Sequence, residues 1–280
     1  MKPVTIESPL TVQGPAIIPG LLKRHGLHLL VGEHEVGKRL AALEICQAAL
    51  TGDPLWGALP VSQPIEKVTY ILGEHDTDQI KELWHLIGLT VRPDTFFVVG
   101  PEYRHPLVQR GQANATARTL YQQAVAGSGL IVFDPLSAFA AGAEGENDNL
   151  GMREVINVMG DIARPSQAAV LILHHMGKPL MNPRTGQYTH PPNYAARGAS
   201  SIEDATAGCF YMTCTERGEY HFKRSRFKAE YDPAYFLCSR VGYAHRCLRR
   251  GETTKERNAR LMRNLNPQTL QVKYEDSPSK

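Results

Sequence analysis

A glycine-rich stretch near the start of the chain has the residue types and spacing of a phosphate-binding loop. Residues 32–39 read Gly-Glu-His-Glu-Val-Gly-Lys-Arg and contain the G-x-x-x-x-G-K skeleton. Gly32 and Gly37 allow the backbone to curl so that successive N–H groups face one anion, and Lys38 adds a full positive charge. We therefore predict that Gly32, Gly37, Lys38 and Arg39 bind nucleotide phosphate. An ordinary turn between a strand and a helix is the alternative interpretation.

The residue after the lysine departs from the usual pattern. This position normally carries Ser or Thr, because its hydroxyl ligates Mg²⁺. Arg39 stands there instead, and a guanidinium cannot ligate a cation. Glu33 and Glu35 also place negative charge in the loop that should hold phosphates. The sequence therefore predicts a phosphate site with impaired Mg²⁺ binding.

Four more polar residues follow apolar runs that we interpret as strands. Asp134 fits the carboxylate that holds Mg²⁺ beside a phosphate loop. Glu74 can orient or deprotonate an attacking water, and His174 or His175 can contact a γ-phosphate. Each residue alone also fits a structural role, such as a strand cap, a surface carboxylate or a packed histidine. Together with the phosphate loop, they follow four separate strands at the sheet edge where α/β proteins bind ligands, which favours one nucleotide site.

The elements that must position these residues alternate between short apolar runs and helical segments. The strand candidates are residues 27–31, 68–72, 96–99, 130–133 and 169–173. The helix candidates are residues 38–50, 76–87, 112–126 and 151–163. This alternation is typical of an α/β fold with a mostly parallel sheet flanked by helices. Closely spaced strand candidates at 209–213, 220–223 and 235–238 predict antiparallel strands at the C-terminal edge.

Composition excludes several classes of protein. With 280 residues, 42% of them apolar, the chain can bury a large core without a disulfide or a metal. No apolar run approaches the roughly 18–20 residues of a membrane-spanning helix, and residues 1–10 lack the apolar segment of a secretory signal. The five cysteines are odd in number and lack zinc-site spacing. We therefore expect a cytoplasmic protein with reduced cysteines and no membrane partner.

The net charge of +3 is unevenly distributed along the chain. Residues 217–263 hold thirteen Lys and Arg against five Asp and Glu, a net charge of +8. Residues 1–216 hold sixteen against twenty-one, a net charge of −5. A polyanionic partner for the basic stretch is one interpretation, and a solvated surface with scattered basic residues is the other.

The order of these segments resembles the RecA-like P-loop ATPases of the RepA hexameric replicative helicase family of plasmids and phages, with a degenerate Walker A motif. The similarity covers about residues 15–240. Besides the phosphate loop, it includes Leu-His-His followed by Lys178, Arg-Gly-Ala-Ser-Ser at 197–201, and Lys-x-x-Tyr-x-Pro beginning at Lys228. On this basis we divide the chain into an N-terminal arm (1–14), a RecA-like nucleotide-binding domain (15–245) and a basic C-terminal tail (246–280).

The resemblance implies a homo-oligomer, usually a hexamer, which binds ATP and Mg²⁺ between subunits and threads single-stranded DNA through its centre. It makes Lys38 a phosphate ligand, Glu74 the catalytic carboxylate and Asp134 the Mg²⁺ partner, with His174 or His175 sensing the γ-phosphate. Arg197 and Lys228 would approach the neighbouring subunit's nucleotide. The expected nucleic-acid contacts are Lys178, Arg184, Lys223, Arg224, Arg226, Arg249 and Arg250. The tail can also dock a partner enzyme.

Two departures from the family divide the functional hypotheses. Arg39 removes a metal ligand, and Ala207 lies where the family carries an arginine finger, a residue worth about 10³-fold or more in rate. We therefore favour an oligomeric, nucleic-acid-associated module with weak or lost hydrolysis that binds DNA or scaffolds a partner. The alternative is an active ATP-dependent DNA helicase, which Glu74 and Asp134 favour. A P-loop enzyme acting on a small molecule would not need the basic stretch.

Overall fold

The structure is a computed structural model, and it describes most of the residues of the α/β core. The described residues are 16–74, 76–88, 90, 92, 94–109, 111–140, 149–176, 180–181, 188–189, 200–215, 217–224, 235–241 and 244–250. Several predicted features lie outside them. These are the arm at 1–14, the chain beyond residue 250, Lys178, Arg184, Arg197, Arg226 and Lys228.

Strands and helices alternate through the first two thirds of the chain. The strands are β1 (Ala16–Ile18), β2 (Leu22–Lys23), β3 (Leu27–Gly32), β4 (Val68–Leu72), β5 (Phe96–Val99), β6 (Val108–Gln109), β7 (Gln112–Ala113), β8 (Leu130–Asp134), β9 (Ala169–His175), β10 (Leu180–Met181), β11 (Tyr188–Thr189), β12 (Gly208–Cys214), β13 (Glu219–Arg224), β14 (Tyr235–Val241) and β15 (Ala244–Arg250). The helices are α1 (Lys38–Thr51), α2 (Thr77–Leu86), α3 (Ala115–Ala124), α4 (Leu136–Phe139), α5 (Asn149–Ala163) and α6 (Ser200–Asp204).

Nine of the strands form one sheet, in the order β15-β14-β13-β12-β3-β9-β8-β4-β5. The pairs from β12 to β5 are parallel, and the pairs from β12 to β15 are antiparallel. The predicted fold class, a mostly parallel α/β sheet with antiparallel strands at its C-terminal edge, is confirmed. Because all the parallel strands point the same way, the carboxyl ends of β3, β4, β8 and β9 lie along one edge of the sheet.

The sheet has a hydrophobic core on each face. In β8, Leu130 and Val132 pack on the side of α1, whereas Ile131 and Phe133 pack on the side of α3 and α5. All four are fully buried, and each contributes on the order of 1.5–3 kcal/mol of burial free energy. A strand buried on both faces needs an unbroken apolar run, which is the signal that located β8 in the sequence.

Two of the boundaries that differ from the sequence predictions change how a segment is interpreted. The helix predicted from residue 112 begins at Ala115, because Asn114 caps it through a hydrogen bond from the Ala117 N–H, while Gln112–Ala113 pairs with β6. The sheet also continues through β15 to Arg250, so the predicted start of the tail at 246 falls inside a strand. None of the helices described is both long and apolar enough to cross a lipid bilayer.

Candidate functional site

The phosphate loop joins β3 to α1, as the motif predicts. Gly37 precedes the helix with φ of +98°, and Glu35 also has a left-handed conformation, with φ of +60°. Glycine is favoured at position 37 because a side chain there is strained. Gly32 is needed for a different reason, since a Cβ there would come within 2.8 Å of the Met212 carbonyl oxygen on β12. The loop is therefore a tightly curled backbone at the positively polarised N-terminus of a 14-residue helix.

Lys38 is buried against the loop that it is predicted to serve. Its Nζ donates to the carbonyl oxygens of Gly32, at 3.0 Å, and Glu33, at 2.7 Å. Burial lowers the pKa of Lys38 and the charge of Arg39 adds to this effect; with the charges of Asp134 and Glu33 opposing them, the pKa is about 8. An ammonium group has three N–H donors, so this arrangement leaves one for an incoming phosphate oxygen.

Arg39 forms an ion pair with the predicted magnesium residue. Its Nε donates to Asp134 Oδ2 at 2.7 Å, and the Tyr70 hydroxyl on β4 donates to the same oxygen at 2.8 Å. The Asp134 side chain is 7% exposed and the Arg39 side chain 20% exposed. Burial opposes the Arg39 charge, but the charge and hydrogen bond of Asp134 outweigh it and raise the Arg39 pKa. Burial raises the pKa of Tyr70, which keeps its hydroxyl a proton donor.

These residues do not fit a Mg²⁺ ion. Magnesium needs oxygen ligands in an octahedral shell, and position 39 supplies a cation instead of a hydroxyl. One Asp134 oxygen is already bonded to a guanidinium and a phenol. Among the described residues, no group of three His, Cys, Asp or Glu side chains is placed to hold a metal. Asp134 was predicted to hold Mg²⁺, but in the structure Arg39 and Tyr70 already bind its carboxylate.

Glu74 lies at the same sheet edge, beside Asp134. Gly73, which separates it from β4, donates its N–H to the Asp134 carbonyl oxygen at 2.8 Å. A Cβ at Gly73 would collide with Ala138 of α4, so the backbone needs glycine to pass this helix. Glu74 itself is exposed. It stays a candidate for orienting water next to the loop.

The two histidines end the strand that pairs with β3. In register, His174 lies opposite Val31, and His175 lies opposite Gly32 at the start of the loop. The His175 ring stacks on His34 of the loop, with ring centres 5.8 Å apart. His174 is fully buried, whereas His175 is half-buried. The structure thus brings Lys38, Glu74, Asp134 and His175 to one edge of the sheet, and His175 is the histidine next to the phosphate loop.

Two residues near the loop were missed by the sequence interpretation. Tyr70 lies inside β4 and reads as one more apolar strand residue, yet its hydroxyl holds Asp134. Arg240, on β14, lies so close to the loop that a Cβ at Gly37 would collide with its Nη2. Its guanidinium also stacks on Tyr220, 4.7 Å from the ring centre. No local motif marks either residue, because both reach the site through contacts between distant strands.

The antiparallel strands carry part of the predicted nucleic-acid surface. Residues opposite one another in antiparallel strands share a face of the sheet. His221 pairs with Leu237, and Leu237 pairs with Arg249. Lys223 is two residues from His221 and therefore shares this face, and both Lys223 and Arg249 are exposed. Arg246, also exposed, lies opposite Ser239 on the same face. We call Lys223, Arg246 and Arg249 the basic face.

Arg224 lies on the other side of this part of the sheet. It pairs with Phe210, whose ring belongs to the core on the side of α1. Arg250 pairs with Phe236 at the end of β15. The structure therefore does not gather all the predicted basic residues on one face, and Arg246, which the prediction omitted, joins Lys223 and Arg249.

The candidate site lies within the part of the chain that matches a known protein family. A family model described as an AAA domain matches residues 11–181, more than half of the chain. This region contains the phosphate loop, Glu74, Asp134 and both histidines, whereas β12–β15 lie beyond it. A comparison with curated protein sequences finds no match.

Proposed function

The chain belongs to the AAA domain family of P-loop ATPases, and from this premise we propose that it is a RecA-like module that binds ATP but hydrolyses it slowly or not at all. The observation that carries the proposal is the ion pair between Arg39 and Asp134, at 2.7 Å. Domains of this family generally use a nucleotide together with Mg²⁺. The loop for the nucleotide is present here, while the groups expected to hold the metal are paired with each other.

Several features support nucleotide binding. The left-handed conformations at Glu35 and Gly37 turn the loop over the N-terminus of α1, where backbone N–H groups point towards an anion. Lys38 lies within this loop, and Arg240 brings a further positive charge close to Gly37. His175, stacked on His34, lies close enough to the loop to respond to a bound phosphate.

Two features support slow hydrolysis. In P-loop enzymes the metal neutralises the charge that develops on the transferred phosphoryl group. The Arg39 guanidinium carries only one positive charge, and Asp134 offsets part of it. Ala207 occupies the position expected for an arginine finger, but its side chain is only a methyl group. Its N–H donates to the Leu27 carbonyl oxygen, at the end of β3 that lies away from the phosphate loop.

The basic face supports a second element of the proposal, a homo-oligomer of RepA-like descent that binds single-stranded nucleic acid, with DNA as the expected form. Lys223, Arg246 and Arg249 form a stripe of exposed cations across β13 and β15, and Glu219 is the acidic residue opposite Ser239 on this face. Several cations on one face can contact successive phosphates of a flexible single strand, whereas a small anion would contact only one or two of them. A module of RepA-like descent can also act as a scaffold that binds a partner enzyme.

An active ATP-dependent helicase is the second candidate. The arrangement of Glu74, Asp134 and His175 along one sheet edge favours it, since hydrolysis needs a carboxylate and a sensor near the loop. Arg240 lies next to the loop and can supply in the same chain the charge that the missing finger does not.

Calorimetric titration of ATP and a steady-state ATPase assay test the nucleotide proposal. We expect ATP to bind the wild type, and Lys38→Ala to weaken binding at least tenfold, because it removes the buried ammonium. Turnover should stay low with or without a single-stranded oligonucleotide, and Glu74→Gln should change it little. Oligonucleotide-stimulated turnover that Glu74→Gln abolishes would establish the helicase alternative, and the absence of any ATP binding would overturn both.

Oligonucleotide binding at several salt concentrations, with light scattering to measure oligomeric state, tests the second element. If three side chains contact phosphates, log K should fall with log[NaCl] with a slope of about −2, at about −0.7 per contact. Lys223→Ala or Arg249→Ala should each reduce the slope by about 0.7. Lys81→Ala is the matched control, because it removes an exposed lysine on α2, away from this face. Equal effects of all three variants would show non-specific attraction.

A further inference from the structure

The two side chains that flank Mg²⁺ in a P-loop site are bonded to each other in this protein. In such sites the residue after the lysine supplies a hydroxyl, and the strand aspartate holds the ion through water. Those positions are Arg39 and Asp134, joined through Nε and Oδ2. Resting on the proposed nucleotide site, we propose that the Arg39 guanidinium is a built-in cation that takes the place of Mg²⁺, so that nucleotide binds without a divalent metal.

The distance between the two groups leaves no room for the ion. Magnesium binds oxygen at about 2.0–2.1 Å and keeps several of its waters. A hydrated ion cannot lie between two atoms that are 2.7 Å apart. To admit the metal, the ion pair would have to separate, and the almost fully buried Asp134 would lose the cation that compensates its charge.

The surroundings of the pair hold it together. Tyr70 donates to Asp134 Oδ2 from within β4, so the carboxylate is fixed from the interior of the sheet. The guanidinium keeps its charge throughout the physiological pH range, and Asp134 raises its pKa. Its position in the first turn of α1 is set by the helix that also carries Lys38. Arg39 is therefore a permanent feature of the site and does not need to be recruited with the nucleotide.

The chemistry of a guanidinium suits this role. Nε–H is used on Asp134, and the planar group carries four further N–H donors on Nη1 and Nη2 that match a phosphate in pairs. The charges of Arg39 and Lys38 act on each other at the start of α1, so a phosphate at the helix N-terminus lies near both cations. A nucleotide that arrives with Mg²⁺ brings a second cation against the guanidinium, which repels it. We therefore expect the metal-free nucleotide to bind at least as tightly as the magnesium complex.

The test is calorimetric titration of ATP into the wild-type chain, once with millimolar MgCl₂ and once with excess EDTA. We expect the two dissociation constants to agree within about threefold, or the EDTA value to be lower. Binding at least tenfold tighter with MgCl₂ would overturn the inference and leave the nucleotide proposal standing. No binding under either condition would instead remove the nucleotide proposal, so the two failures are distinct.

Arg39→Thr provides a second arm, because it restores the hydroxyl that ligates Mg²⁺. We expect this variant to bind ATP about tenfold more tightly with MgCl₂ than with EDTA, unlike the wild type. Arg39→Lys is the matched control, since it keeps the charge without the planar group. It should stay indifferent to MgCl₂ while binding more weakly than the wild type. A thermal unfolding scan of each variant establishes that it is folded, and an Arg39→Thr protein that is folded but indifferent to MgCl₂ would count against the inference.

Discussion

Arg39→Ala removes the cation that faces the buried carboxylate of Asp134, and we expect it to lower the free energy of unfolding by about 3 kcal/mol. The hydrogen bond itself involves two charged groups and is worth about 1.5–3 kcal/mol. Removing one partner of a buried ion pair costs about 3–5 kcal/mol, because the remaining charge lies uncompensated in the interior. We take the lower end, since Arg39 is 20% exposed and Tyr70 still donates to Asp134.

A double-mutant cycle separates the pair from the individual side chains. Asp134→Asn keeps the shape and a hydrogen-bond acceptor and removes the charge, so we expect a cost of about 2 kcal/mol. Once Asp134 is neutral, losing Arg39 matters less. The double variant should therefore lose about 3–3.5 kcal/mol, which makes the coupling energy about 1.5–2 kcal/mol.

Urea unfolding at pH 7, followed by the fluorescence of Trp56 and Trp84, measures all four proteins. Repeating the cycle at high NaCl should change the coupling little, because a buried pair is screened much less than a surface pair. Single-variant costs that add within about 0.5 kcal/mol would refute the reasoning, since they would show that Arg39 and Asp134 do not interact. The magnesium inference would then lose its structural basis.

Three other features give expectations of their own. Burial lowers the pKa of Lys38 to about 8, so the ammonium loses its proton between pH 7 and pH 9. ATP affinity measured by calorimetry should therefore fall about tenfold over this range. Lys38→Arg should show a flatter pH profile, because a guanidinium keeps its proton. The unfolded chain keeps this proton to higher pH, so Lys38 should also make stability rise with pH above about 8, a slope that Lys38→Met removes. Glu44 is 8% exposed and accepts hydrogen bonds from Trp56 Nε1 and the His245 N–H. Glu44→Ala should cost about 3 kcal/mol in urea unfolding and Glu44→Gln less; equal costs would contradict a role for the charge. Gly73→Ala should lower stability by about 2 kcal/mol in the same assay, because its Cβ collides with Ala138, and a neutral effect would show that the backbone can move.

Continuous apolar runs located the parallel strands well. The bounds predicted for β4 and β5 coincide with the observed ones, and Asp134 ends β8 as its position after the apolar run indicated. Such strands are buried on both faces, so their composition alone separates them from loops. The phosphate loop could also be predicted from the sequence, because the backbone conformation at the start of α1 favours glycine locally.

The C-terminal strands were harder to predict. β15 contains Arg246, Arg249 and Arg250, which the sequence interpretation assigned to a basic tail. It is a strand because β14 supplies its hydrogen bonds and because Glu44, on α1, accepts bonds from the His245 backbone and ring. These partners are distant in the chain, and a half-exposed edge strand carries too few apolar residues to show its period.

The sequence by itself determined the α/β fold, the phosphate loop and the identity of the residue that replaces the metal-ligating hydroxyl. Only the tertiary structure decided what that residue does. Arg39 and Asp134 are 95 positions apart, and Tyr70 is 64 from Asp134. Register places Leu72 of β4 opposite Asp134 of β8, while the loop after β3 starts α1 above the same edge. An ion pair depends on distances between atoms and on exclusion of water, and the packing of separate elements sets both.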